Sequence, residues 1–469
     1  MKVVTKSLFL GPKSAIGPNG TLYILLTQLF TAIAKTRKAQ SHETIQRLIN
    51  VNQVYLAHFL SDLMAFCDRG QVFNVIDTYF KNLGTSVSVD VYTPKCIFLK
   101  AMVQHPYFFA NNIPALGQYS SVKALATEST QRHYLIGRLI LLLEAAQKES
   151  MSHPAQSLPL SVICEAFHRM ESNASISVEE KQIIAGMFLP IIPNLLDRVD
   201  SLSAMTKEDR YKMYCIVLTI IEYVNKAYIS AYWEMESERK IQLFFQLLTK
   251  IVDEFEYKEN ARVPVEVYSA ALNAPFETEA AQDLVEEKKD KKKKDKKDKK
   301  KDTLRKNAAH NPQDSISSIS SVSEVEMYTG SLTHFGKEVG TIVLDVMIHF
   351  IKKFAHLLKN HDLLERTFSV ITGLLKKNQA VSLVLTIFET ISCLLADFKK
   401  HLFKKSNAVC GDVMVEVVKR FNSTHKKIRN SAVTIYLEML KHNFELLGNI
   451  DRSKLHTTLS IIRLVATDV

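Results

Sequence analysis

The sequence predicts an all-α fold, an armadillo/HEAT-like helical solenoid interrupted by a disordered Lys/Asp- and Ser-rich insert. Three observations carry this expectation. Apolar residues recur at spacings of three and four through most of the 469 residues, as amphipathic helices require. Only 14 Gly and 12 Pro punctuate that length, which suits long helices joined by short loops rather than a sheet with many tight turns. Val343-Leu344, Val384-Leu385 and Val433 hold similar places in successive helices, 41 and 49 residues apart. That is close to the ~40–47-residue period of such repeats.

Residues 1–20 read as an irregular N-terminus, with turns at Gly11-Pro12 and Gly17-Pro18-Asn19-Gly20. A helical array is expected over 21–258. Its first three stripes are Leu22, Leu25, Leu26, Leu29, Phe30 and Ile33; then Ile45, Leu48, Ile49, Asn52 and Leu56, running on to Phe66; then Val72, Phe73, Ile76, Tyr79 and Phe80. Between the last two, Gly70 can end a helix and a polar side chain can cap the next. Residues 81–94 read as a β-branched loop, and Cys96 to Val103 as a short helix ended by His105-Pro106. Further helical patterns cover 131–147, 158–170, 178–199, 207–231 and 237–256. Ser177 before Val178-Glu179-Glu180 is an N-cap signal, and Pro190 and Pro193 kink or split their helix.

Residues 259–333 change character. Lys288 to Lys301 is nearly all Lys and Asp, and Ser315 to Ser323 supplies six serines. Such a stretch buries too little surface to offset its ordering entropy, so a disordered linker is expected. Armadillo-like helical repeats then fill 334–469. Stripes run over Val339 to Leu358, Leu363 to Lys377, Val381 to Phe403, Ala408 to Phe421, Ile428 to Leu447 and Leu455 to Ala466. In the fifth, Ile428, Ala432, Ile435, Tyr436, Met439 and Leu440 share a face, and the small Ala432 lets a neighbouring helix approach closely.

Composition bounds the function. The formal charge is +11, but 286–306 alone holds 13 Lys/Arg and 6 Asp/Glu, so the rest of the chain is only +4. The pI of 9.1 is therefore weak support for nucleic-acid binding. Six scattered cysteines, with no CxxC pair, fit buried free thiols in a reducing, cytoplasmic setting. The N-terminus lacks a convincing secretory pattern, and no uninterrupted apolar run approaches the ~18–20 residues of a membrane helix. The sequons at Asn19, Asn173 and Asn422 read as chance matches.

Candidate chemistry is sparse. Lys13-Ser14 lacks the glycines of a phosphate-binding loop. The Lys/Asp tract could touch anionic membrane, but a solvated linker is the preferred reading, and nucleic acid is disfavoured. The serines beside it could be phosphorylated. His349 and His356 share a helix face with His361 nearby, yet lack the i, i+4 pairing usual for metal. Cys393 and Cys410 are read as core. Asp68 and Arg69 are expected to form a cap and an ion pair, and Trp233 with Tyr228 and Tyr232 an aromatic packing cluster. No catalytic, cofactor-binding or metal-ligating residue is assigned, and a non-enzymatic scaffold is expected.

Three stretches nonetheless resemble a known family. They are Leu63-Met64-Ala65-Phe66-Cys67-Asp68-Arg69-Gly70-Gln71-Val72-Phe73-Asn74-Val75-Ile76; Glu338-Val339-Gly340-Thr341-Ile342-Val343-Leu344-Asp345; and Arg429-Asn430-Ser431-Ala432 through Lys441-His442-Asn443-Phe444-Glu445. Each is similar to a packing segment of the dedicator-of-cytokinesis (DOCK) guanine-nucleotide exchange factors, especially the zizimin-like branch. They occur in family order around a serine-rich insert and span most of 60–447. The resemblance implies nucleotide exchange on Rho/Rac-family small GTPases, by a helical module C-terminal to these stretches, with a C2-like domain further N-terminal. Neither is expected in this chain, which would be the central scaffold region, offering its solenoid to protein partners. The alternative is a free-standing HEAT/armadillo-type adaptor without exchange activity; a third reading is a nucleic-acid-associated protein relying on the Lys tract.

Overall fold

The computed structural model describes residues 21–38, 43–66, 69–84, 89–112, 134–148, 153–255, 336–404 and 407–467. Helices and short connections account for them, with no strand among the described residues. The irregular N-terminus and the Lys/Asp and Ser tracts lie outside them. The helices are α1 (Thr21–Lys38), α2 (Glu43–Phe66), α3 (Arg69–Leu83), α4 (Val89–Val103), α5 (Phe108–Asn112), α6 (Tyr134–Lys148), α7 (His153–Ser172), α8 (Val178–Phe188) and α9 (Ile191–Leu196). They continue as α10 (Lys207–Tyr223), α11 (Lys226–Met235), α12 (Glu238–Glu254), α13 (Gly336–Phe354), α14 (His361–Lys376), α15 (Val381–Lys404), α16 (Asn407–Lys419), α17 (Lys426–Leu447) and α18 (Asp451–Thr467).

Packing follows a two-row rule. One row runs α2, α4, α7, α10, α13, α15, α17, each helix against the next. In the other, α1 packs on α3, α6 on α8, and α9 leads through α12, α14 and α16 to α18. Phe73 and Asp77 of α3 meet Tyr134 and Arg138 of α6, joining the early members of that row. Each amphipathic helix buries its stripe between the rows and against the layers before and after it, which is how solenoid repeats build a continuous core.

The helices before residue 255 and those after residue 336 belong to one array, because α10 and α12 both pack on α13. Trp233, 1% exposed, fills this seam. Its ring lies 5.1 Å from Phe350 and 5.8 Å from Phe354, both edge-on, and 6.0 Å from Phe244. Four polar contacts cross the same seam: Lys226 to Asp345 (2.7 Å), Ser230 to His349 (2.8 Å), Asn360 to Glu238 (2.6 Å) and Lys377 to the Asp253 carbonyl (2.7 Å). Trp233 and Tyr232 are thus buried packing residues, as the helical spacing predicts.

The repeat has a sharper register than the sequence suggests. Helices α13, α15 and α17 begin at 336, 381 and 426, steps of 45 residues. Val343 therefore corresponds to Phe388 and Val433, while Val384 corresponds to Val339. The uneven spacing of 41 and 49 arises from pairing similar Val-Leu dipeptides that sit one helical turn apart.

Local signals explain several boundaries. Ser177 and Glu180 form a reciprocal capping box, with Glu180 N donating to Ser177 Oγ (3.2 Å) and Ser177 N to Glu180 Oε2 (2.9 Å). Pro190 separates α8 from α9. The expected helix 207–231 breaks at Val224-Asn225, where the Asn225 side chain accepts the Ala227 amide and starts α11. Residues 89–94, expected as loop, are helical despite Pro94. Tyr92 and Cys96, four apart, bury against Ala146 and Leu158, and that burial outweighs the one backbone bond Pro94 removes. Gly70 does not end a helix; it lies in the first turn of α3.

Burial corrects the stripes at two more places. On α1 the core residues are Leu26, Phe30 and Ala34, while Leu25 and Leu29 face outward. Cys393 is exposed rather than core, because its flanking positions Ile391, Leu394 and Leu395 take the inward face of α15; Cys410 is buried as expected. Helix α15 is long and apolar enough to cross a membrane by composition alone. Here Val384, Ile387, Phe388, Ile391, Leu394 and Leu395 are buried, and it packs between α13 and α17 in its row.

Candidate functional site

The residues weighed for chemistry in the sequence do not converge. His349 hydrogen-bonds Ser230, and burial holds its ring below the usual histidine range. His361 lies 3.5 Å from Glu365, and its ring is 5.3 Å from that of His401. No group of three His, Cys, Asp or Glu suited to a metal occurs among the described residues. The buried thiols are quiet: burial raises Cys164 well above its ordinary value and Cys410 to about 12, so neither is a thiolate at neutral pH. Arg69 serves a helix end. Its guanidinium donates to the Ala110 and Asn111 carbonyls at 3.0 and 3.3 Å, satisfying the C-terminus of α5. Asp68 lies outside the described residues.

That use of cations recurs. Arg169 donates to the Val103 carbonyl (2.9 Å), Lys95 to Gly84 (2.6 Å), Lys377 to Asp253, and Arg420 and Arg452 to the Leu375 and Phe403 carbonyls. Each reaches a carbonyl at or just past the end of a helix in a neighbouring layer, where orphan acceptors and the negative end of the dipole favour a positive charge. These cations therefore serve the fold.

One open cleft stands apart, with a volume of about 920 Å³. Its walls are the α14–α15 turn (Asn378, Gln379), the α16–α17 turn from Lys419 to His425, and the end of α18. Its lining includes Lys419, Arg420 and His425 but no carboxylate and no cysteine. Arg420 is mostly buried, 3.7 Å from Glu416, and burial lowers its pKa while Glu416 opposes that shift. His425 is the N-cap of α17 yet makes no side-chain cap bond, and the first turn that follows carries Lys426 and Lys427 and no acid. Uncapped amides beside Lys419 and Arg420 suit an anionic group; the lining holds no nucleophile–base pair, so the arrangement can bind rather than catalyse. Sequence reasoning missed this cleft, whose only linear trace is basic residues on both sides of Asn422-Ser423-Thr424.

Each of the three stretches quoted above contributes residues to a seam. In the first, Met64, Val72, Val75 and Ile76 are buried beside the Arg69 clamp. In the second, Val339, Val343 and Leu344 are buried, Asp345 takes Lys226, and Gly340 lets α15 close in: a Cβ there would meet Leu383 Cδ2 at 2.6 Å. In the third, Arg429 donates to the Ser423 and Thr424 carbonyls at 2.6 and 2.9 Å, and Ala432 is fully buried. Asn443, also fully buried, accepts from Ser453 N and Oγ at 2.8 Å each and donates to the Asn449 carbonyl, fixing the α17–α18 turn. Glu445 receives Lys399 and His442, which hold its carboxyl below the usual range.

The chain is similar to several known proteins. The chain is 21% identical to human dedicator of cytokinesis protein 8 over 517 aligned positions, covering 88% of this chain and 24% of that protein. It is 24% identical to dedicator of cytokinesis protein 11 of Danio rerio over 270 residues, 55% of this chain and 13% of that protein. It is 21% identical to the guanine nucleotide exchange factor SPIKE 1 of Arabidopsis thaliana over 207 residues, 44% and 10% respectively. The chain thus spans about a quarter or less of the length of these curated relatives. No family model matches it, and no solved structure matches. Low-identity similarity to several members, along an all-helical array, supports membership of the dedicator-of-cytokinesis family.

Proposed function

We propose that this chain is the central helical scaffold of a DOCK-type guanine-nucleotide exchange factor of the zizimin-like branch, acting on Rho/Rac-family small GTPases. Exchange itself belongs to a module outside residues 1–469. The observation that supports this most is that all three family-like stretches serve as seams of one array, in family order, within an alignment covering 88% of the chain. The described surface offers layers, clamps and one cationic cleft, which suits positioning of other parts rather than chemistry. The working location is the cytoplasm, with the 288–301 tract free to touch anionic membrane, where each basic residue contributes about 1 kcal/mol.

Three measurements test the proposal. Release of fluorescent GDP from Rho, Rac and related GTPases is expected to be unchanged by purified 1–469; acceleration would show that the exchange module lies within these residues. Sequencing the transcript beyond codon 469 is expected to reveal several hundred further helical residues. A stop codon there would leave the adaptor reading. Binding of the chain to anionic vesicles should fall with salt and vanish on deletion of 286–306.

A further inference from the structure

The Ser-rich stretch has an order that its composition hides. Residues 315–326 read Ser-Ile-Ser, Ser-Ile-Ser, Ser-Val-Ser, Glu-Val-Glu: one triplet repeated, with Glu replacing Ser in the last copy. Every serine in it therefore has Ser or Glu three residues on. Ser321 stands three before Glu324, with Ser318 and Ser315 behind it at the same step; Ser323, Ser320 and Ser317 line up behind Glu326. For a kinase that reads an acid at the third following position, each phosphate creates the next acceptor. Six phosphates bring a charge of about −9 to −12. From 307 to 336 the chain has Asp314, Glu324 and Glu326 and no Lys or Arg to offset them.

The complementary surface lies beside the point where this segment rejoins the array. Residues 374–388 and 417–437 carry seven Lys/Arg and no Asp or Glu. They include the α14–α15 and α16–α17 turns that wall the open cleft. Lys377, Arg420 and Arg429 are engaged with backbone carbonyls. Lys376, Lys419, Lys426 and Lys427 are exposed and make no ion pair among the described residues. The cleft between the turns is lined in part by Val384, Val418 and Ile428. Apart from Leu464 and Thr467, its lining belongs to these two turns and the helices they join. Gln379 on its wall is also what a Cβ on Gly340 would meet, at 3.3 Å, so the first turn of α13 borders it. The chain from Glu326 to Gly336 can span up to about 33 Å, ample to reach it.

The Lys/Asp tract at 288–301 is the rival partner for such phosphates. It has no apolar residue, whereas the triplets carry Ile316, Ile319, Val322 and Val325 at every third position. An extended chain with three residues per turn would carry these four on one side and the serines on the others. The cleft matches both sides, with apolar lining below and lysines at the rim.

We propose that residues 315–326, phosphorylated on serine, dock across the α14–α15 and α16–α17 turns, with Ile and Val in the cleft and phosphates on the four exposed lysines. In each transfer a serine Oγ takes the γ-phosphoryl group of ATP from an acid-directed kinase. The Oγ–P bond forms, the bond to the departing ADP oxygen breaks, and the hydroxyl proton passes to the kinase's base. The segment is tethered, so its local concentration is roughly millimolar.

The probe is a fluorescent synthetic peptide of residues 312–328 with all six serines phosphorylated, titrated against the unphosphorylated 1–469 chain. Saturable binding is expected, at least tenfold weaker for the unphosphorylated peptide and for the Ile316→Asn/Ile319→Asn/Val322→Asn/Val325→Asn phosphopeptide. The Lys419→Glu/Lys426→Glu/Lys427→Glu chain should also bind at least tenfold more weakly, with unchanged circular dichroism because these lysines are exposed. Should that variant lose helicity, hydrogen exchange on the native chain replaces it: the phosphopeptide is expected to protect 376–384 and 418–428. Deleting 286–306 should leave binding intact. A chain first treated with ATP and an acid-directed serine kinase should gain phosphate at Ser321 and Ser323 before the other four, and should no longer take the peptide. Phosphate-independent binding, equal binding of the Asn-substituted phosphopeptide, protection elsewhere, or loss of binding with 286–306 would each overturn the proposal. So would undiminished peptide binding to the phosphorylated chain, no phosphate at Ser321 or Ser323, or lysines that bind only phosphatidylserine vesicles.

Discussion

Replacing Phe350 by Ala tests whether the helices on either side of residues 256–335 form one array. Phe350 is fully buried, 5.1 Å from Trp233, 4.9 Å from Phe245 and 5.2 Å from Phe354, ring centre to ring centre. Truncating a buried Phe to Ala costs about 3–5 kcal/mol, from lost transfer free energy and an uncollapsed cavity. Three aromatic partners place this site in the middle of that range, roughly 4 kcal/mol. A solenoid need not unfold in one step, so the change is best read locally. At about 1.4 kcal/mol per tenfold, hydrogen-exchange protection in α11 and α13 should fall about a thousandfold. Trp233 is the sole tryptophan, so its emission reports the same seam and should shift to the red. Phe350→Leu keeps most of the volume and should cost under about 1.5 kcal/mol. Exposed Phe444 gives the control: Phe444→Ala should change protection little. A loss of less than tenfold in α13 with unchanged Trp233 emission would refute the continuous array.

Three further outcomes are expected. His425→Asp should add the missing cap and a negative charge at the start of α17, stabilising by about 1 kcal/mol and raising Tm by about 2 °C; an unchanged Tm would mean the turn already satisfies those amides. Gly340→Ala gains about 1 kcal/mol of helix propensity but meets Leu383 at 2.6 Å, an overpacking of about 1–3 kcal/mol. Net destabilisation is expected, relieved in the double variant with Leu383→Ala; additive losses in urea titrations would contradict the contact. Acid should loosen two seams. Burial depresses the pKa of His349, which faces Lys226, Asp345 and Lys353, and of His456, which faces Arg452 and Arg463. The unfolded chain then binds more protons, so this stability is present above pH about 6.5 and is lost as pH falls through the folded-state values. Substituting both histidines by Gln should flatten the melting profile between pH 7 and 5, and an unchanged slope would exclude them as its source.

How far sequence reasoning reached depended on whether a signal was local. The capping box at Ser177–Glu180 and the split at Pro190 were legible because the groups involved lie within a few residues. Asn225 marked a break equally well but was overlooked inside an apolar run. Helix 89–94 was hidden because its burial comes from Ala146 and Leu158, far along the chain. The cleft was illegible for the same reason: two turns and a helix end build it, and none is unusual alone.

The sequence by itself determined the all-helical class, most helix positions, and the packing character of Trp233 and of the three family-like stretches. Periodicity and caps act over one or two turns, and those were readable. Tertiary structure decided which apolar stripe faces inward. Tyr436 and Leu440 were grouped with the inward face of Lys426–Leu447, yet neither is fully buried, and Leu440 continues the second stripe of Val433, Leu437 and Phe444. A helical stripe shows only that apolar residues share a face. Burial is a relation between that face and a neighbour: the layer before it covers one side of α17, while Val433, Leu437 and Phe444 on the other side are exposed.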